Sequence, residues 1–213
     1  MQGLKDKVIL VAGAATGIGA ASARQLGSEG ARVVAGDLNL AGAEETAAAI
    51  TGLGGQAVAA RFDISDDASV KDLVATAVRA YGGLDAAHVN AGAMTMVPRD
   101  TDVVDIDLEV WDRTIAVNLR GHQGRHQRPG PARRRPVGQG RHPRQRHRAG
   151  PDPDPGDPGR RPAGHARQML ARTPSTRHGE AGDVAGLVAY LMSDAGSWIN
   201  GQVISVDGGT IMR

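Results

Sequence analysis

Residues 7–19 read KVILVAGAATGIG. The run Lys7–Ala12 is almost wholly apolar and stops at Gly13. Such a short run predicts a strand buried on both faces. From residue 17 the pattern turns helical (GIGAASARQLGS, 17–28), with Ile18, Ala21 and Leu26 available for one inner stripe. A strand, a glycine turn and a helix in this order give each glycine a mechanical reason. Gly13 permits the tight turn, Gly17 lets backbone approach a pyrophosphate, and Gly19 lets helix and sheet pack closely. Thr16 and Ile18 complete the turn, and the helix N-terminus offers unpaired N–H groups to phosphate.

Outward from this turn the alternation continues. Arg32–Asp37 and Gln56–Phe62 read as strands two and three, and Leu84–Asn90 as the fourth. Helices are predicted over Ala41–Ile50, Asp66–Tyr81 and Glu109–Leu119. Repeated β-α units predict an α/β fold, a Rossmann-like doubly wound parallel sheet. Asp37 closes the second strand, 18 residues after Gly19. A carboxylate there accepts hydrogen bonds from ribose hydroxyls and repels a 2′-phosphate, which favours NAD over NADP.

The pattern stops after Gly121. Residues 121–168 hold 12 Arg, 3 Asp and no Lys, a local charge of +9 in a chain of net +2. They also hold 9 of the 11 prolines, and Val137 is their only large apolar residue. Such a segment breaks helices and lacks the apolar run of a buried strand, so disorder is expected. The reading therefore has three parts: a dinucleotide-binding half at 1–121, an Arg/Pro/Gly-rich segment at 122–167, and a return to the same domain at 168–213. In the last part, Asp183–Ser193 is predicted as a helix with Asp183 as N-cap and Val184, Leu187, Val188 and Leu191 buried. Gln202–Val206 is predicted as a final strand.

Taken together, the motifs resemble the short-chain dehydrogenase/reductase family. The glycine spacing is G-x3-G-x-G. Asp63-Ile64 closes the third strand where that family places an adenine contact. Asn90-Ala91-Gly92 matches the last three positions of its N-N-A-G, with Val89 at the first. The segment WDRTIAVNLRG (111–121) is similar to the family helix bearing an active-site asparagine, here Asn118. Arg172-Thr173-Pro174, Gly179-Glu180, Asp183-Val184-Ala185 and Val206-Asp207-Gly208-Gly209 agree as well. The resemblance implies hydride transfer between nicotinamide and a small alcohol or ketone. It also implies a tyrosine acid/base whose pKa is lowered by a lysine four residues on, a carbonyl-polarising serine, and a homo-oligomer. Phenol titrates near ~10, so the cation is physically necessary.

That pair is missing. Tyr81 is followed four residues on by Asp85, and Tyr190 by Asp194. Lys5, Lys7 and Lys71 all lie too early, and no serine falls between Ser69 and Ser175. The fifth and sixth strands are equally unreadable. Residues 139–145 read QGRHPRQ; with CGN arginine codons, dropping one base permits R-G-G-T-L-V-N, which resembles the family's fifth strand. A frame-shifted and shortened 122–167 segment explains the gap, and an inactive, poorly folded chain is expected. The alternatives are a non-catalytic NAD-binding protein and an Arg-rich nucleic-acid binder, the latter disfavoured because 121–168 holds no aromatic residue for base stacking. His122 and His126 lie in a proline-broken stretch without fixed geometry, so no metal is expected. Without cysteine there is no disulfide framework. No apolar run reaches membrane-span length, and the N-terminal run is too short for a signal peptide, so a cytoplasmic location is expected.

Overall fold

The computed structural model describes residues 1–93, 105–121 and 173–210. The segment expected to be disordered, 122–167, lies outside them. Four strands form one parallel sheet: β1 (Val8–Ala12), β2 (Arg32–Asp37), β3 (Gln56–Arg61) and β4 (Ala86–Val89), in the order β3-β2-β1-β4. The registers Ala12↔Gly36, Gly36↔Ala60 and Ala12↔Val89 bring their carboxyl ends level.

Helices cover both faces, as the doubly wound reading requires. They are α1 (Gly17–Ser28), α2 (Leu40–Gly52), α3 (Asp67–Tyr81), α4 (Leu108–Ile115) and α5 (Ala181–Met192). Side chains alternate across a strand. Ile9 and Val11 of β1 join Leu26, Val33, Ile50 and Ala189 on one face. Val8, Leu10 and Ala12 join Val34, Phe62, Leu73 and Val117 on the other. Every residue of β1 is buried, as expected for a central strand.

Four local expectations are corrected. Asp183 is not the N-cap of α5. Glu180 takes that place, and the Asp183 carboxylate accepts from the Glu180 N–H at 2.8 Å and pairs with Arg177. Nor do Val184, Leu187, Val188 and Leu191 form its most buried stripe. Ala185 and Ala189 do, because small residues let α5 lie close on α1, itself rich in alanine and glycine. In α1, Leu26 is buried as expected, whereas Ile18 and Ala21 are half-buried and Ala20 and Ala23 take the inner positions. Residues 202–206 form no strand. A strand exists only as a ladder, and no described strand lies alongside; Val203, Ile204 and Val206 stay exposed.

β4 carries the same signature. Ala87 and Val89 are exposed, and β1 is its one neighbour among the described residues.

Candidate functional site

In the parallel sheet the strand order reverses between β1 and β4. The crevice beyond the carboxyl ends at such a reversal is where open α/β sheets receive ligands. Residues 13–19 leave β1 there, Asp37 ends β2, Asp63 and Ile64 follow β3, and residues 90–92 follow β4.

The three glycines meet different constraints. Gly13 has φ +88°, and a Cβ on it would lie 2.7 Å from the Ala91 nitrogen. A Cβ on Gly19 would lie 1.7 Å from the Gly13 carbonyl oxygen. Gly17 has φ +56° and nothing within 4 Å of where its Cβ would be. Two glycines are thus required by packing, and Gly17 by backbone conformation beside open space. Thr16 is the N-cap of α1 but makes no side-chain capping bond. The first backbone bond of the helix runs from Ala20 N–H to Thr16 C=O. The N–H groups of Gly17, Ile18 and Gly19 precede it, at the positive end of the helix. Together they fit a phosphate group.

Neighbouring elements hold this turn rigid. Gly13 and Ala14 N–H both donate to the Gly36 carbonyl. Asp37 Oδ2 accepts from Ala15 N–H at 2.9 Å and its Oδ1 from Asn39 N–H at 2.9 Å. Thr46, buried on α2, donates from Oγ1 to the Ala14 carbonyl at 2.9 Å. Asn90 donates its N–H to the Ala12 carbonyl, and its Nδ2 lies 3.5 Å from the Gly13 carbonyl.

Asn118 lies in a wider π turn, Ala116–Gly121, that continues α4. Its Oδ1 accepts from Ala93 N–H at 2.8 Å, beyond Gly92. Its amide therefore bonds to backbone and ties the turn to the end of β4. A Cβ on Gly121 would lie 2.9 Å from the Ile64 carbonyl oxygen, so the π turn also packs against the end of β3.

Asp63 belongs to a closed ring of hydrogen bonds. Its Oδ1 accepts from Ser65 N–H at 2.9 Å and from Ser65 Oγ at 2.6 Å. Arg113 on α4 donates from Nη1 to Ser65 Oγ at 2.9 Å and from Nη2 to Asp63 Oδ2 at 3.4 Å. Partial burial pushes the Asp63 carboxyl up; the Ser65 hydrogen bonds and the Arg113 charge outweigh it, and the group titrates below its ordinary value. Sequence reading missed Arg113, Ser65 and Thr46. Arg113 stood inside the recognised segment 111–121, but nothing in one dimension links it to a turn some fifty positions earlier.

The short chain dehydrogenase profile matches residues 7–124, more than half of the chain. This chain belongs to the short-chain dehydrogenase/reductase family. A second profile, described as enoyl-(acyl carrier protein) reductase, matches residues 160–210. An uncharacterized oxidoreductase of Bacillus subtilis is 42% identical over 118 residues, 55% of this chain and 42% of that protein. D-threitol dehydrogenase of Mycolicibacterium smegmatis is 39% identical over 118 residues, 55% of this chain and 44% of its own length. The chain thus spans less than half the length of these curated relatives. Among solved structures, a short chain dehydrogenase from Burkholderia cenocepacia in complex with NADP superposes with TM-score 0.76 at 28% identity, covering 97% of this chain and 98% of that one. One from Mycobacterium avium gives 0.52 at 37% identity over 57% of this chain and 46% of its own. The family is one of oxidoreductases that use a nicotinamide cofactor and act on small molecules. Among the described residues no helix is long and apolar enough to cross a membrane.

Proposed function

We propose that the carboxyl edge of the sheet binds NAD and that the chain, as written, does not turn over. The observation that carries this reading is the uncapped first turn of α1, opening at Gly17 onto free space with Asp37 anchored to the same loop. The N–H groups of Gly17, Ile18 and Gly19 hold the pyrophosphate, with Gly13 and Thr16 shaping the turn. Asp37 takes the ribose hydroxyls next to the adenine, and Asp63 and Ile64 take the base. Asn90, Ala91 and Gly92 border the opposite side of the crevice. In a complete family site the cofactor would supply hydride exchange with a small alcohol or ketone. NAD is preferred because a 2′-phosphate would bring negative charge against the Asp37 carboxylate.

Asn118 supports a site whose tyrosine, lysine and serine the sequence does not contain. This reading of a loss is supported by the two family matches, one ending at 124 and the other starting at 160, before the return expected near Gln168. A frame-shifted reading between them accounts for it, and the coding DNA tests that: another frame there encodes a strand and a Tyr-x3-Lys segment, or the explanation fails. For the cofactor, NADH and NADPH fluorescence titrations of the full chain are compared with D37N. NADH binds more tightly than NADPH to the unaltered chain, and D37N narrows the gap. Equal affinities in the unaltered chain would contradict the assignment of Asp37.

A further inference from the structure

We propose that Arg113 is a positioning residue for adenine recognition: by clamping Asp63 and Ser65 from α4, it fixes the one carboxylate that reads the exocyclic amine of the base. The inference rests on the cofactor reading above and names the selectivity of its base-binding end.

The order of the sheet sets the frame. Phosphates are assigned to the β1–α1 turn, the ribose to the end of β2, and the base to the end of β3. Phe62 N–H donates to the Asp37 carbonyl at 2.8 Å, so the Asp63 turn begins beside the ribose-binding carboxylate. Ser69 on α3 accepts from Asp63 N–H at 2.9 Å and fixes the backbone of that turn.

The carboxylate is oriented by the ring of donors around it. Oδ1 takes both Ser65 bonds, Oδ2 takes Arg113 Nη2, and Arg113 Nη1 closes the ring through the Ser65 hydroxyl. That hydroxyl has a single proton. It accepts from Arg113 and gives its proton to the Asp63 carboxylate, which can only accept. Asp63 Oδ2 keeps lone-pair capacity beyond Arg113, and its side chain remains 24% accessible. A carboxylate accepts only. It bonds the 6-amino group of adenine and faces the oxygen of a 6-oxo purine unfavourably. Removing Arg113 frees the carboxylate to rotate and the Ser65 hydroxyl to turn away, and the discrimination goes with them.

The test is the ratio of dissociation constants for reduced nicotinamide hypoxanthine dinucleotide and NADH, both read by nicotinamide fluorescence on the full chain. The unaltered chain favours NADH by roughly tenfold, the scale of one hydrogen bond to a charged group. In R113M the ratio falls toward unity while affinity for the hypoxanthine form stays within about twofold, and R113K recovers part of it. S65A, on an exposed turn, lowers the same ratio and serves should R113M fail to fold. A ratio unchanged in R113M, or in S65A where R113M does not fold, overturns the role of Arg113 alone. Failure of the unaltered chain to bind either dinucleotide overturns the cofactor reading and this inference with it. A loss of affinity for both dinucleotides by the same factor would reduce Arg113 to a structural prop.

Discussion

At Gly17 and Gly19, two residues apart, the same substitution has opposite consequences. A methyl group on Gly19 would collide with the Gly13 carbonyl, a backbone atom that cannot swing aside. G19A is expected to cost about 3 kcal/mol or to prevent folding, read as loss of the cooperative transition in circular dichroism. G17A has room, and its cost is the left-handed conformation, about 1–2 kcal/mol. It stays folded and loses NADH affinity, because the added methyl group stands where phosphate must approach. G17A with full affinity would remove the phosphate from this turn. The close packing at Gly19 was legible in the sequence, since strand, turn and helix constrain that glycine locally. The grip of Thr46 and Arg113 was not, since each reaches a partner across the fold.

The elements differ in how completely their ends and faces were foretold. β1 was readable because a run buried on both faces has no periodicity to misjudge. α3 was readable because Asp66 accepts from Ala68 and Ser69 N–H and Gly82 closes it at φ 82°. α5 was misread in face and start: the alanines win the close approach to α1, and Asp183 serves an earlier cap. Arg177 is the first cause of the low Asp183 pKa, about 2. A lowered folded-state pKa stabilises above the unfolded value, and the benefit fades as pH falls from near 4 through about 2. The pair is exposed and screened by solvent, so the effect is small. D183N should lower the melting temperature slightly at pH 6 and by clearly less near pH 2. An equal loss at both pH values would assign Asp183 to capping alone. Deeper in the fold, L73A empties a fully buried site packed against Gly36 and should cost about 2–5 kcal/mol.

For the whole molecule, the architecture was legible and its completeness was not. Four strands and their helices follow from local pattern, whereas the last expected strand depends on a neighbour that 122–167 cannot supply as an apolar run. Among the described residues, β4 keeps exposed side chains and 202–206 joins no ladder. Marginal stability of about 5–15 kcal/mol is easily consumed by such losses. Purified chain is expected to melt weakly and early, and saturating NADH to raise the transition, since a ligand bound only by the folded state stabilises it. A sharp transition at ordinary mesophile temperature without ligand would contradict this. The most direct measurement is an NADH fluorescence titration of the full chain run beside a dehydrogenase assay on small secondary alcohols with NAD. Saturable but weak binding with no NADH production is the expected result; clear turnover, or no binding at any concentration, would contradict it.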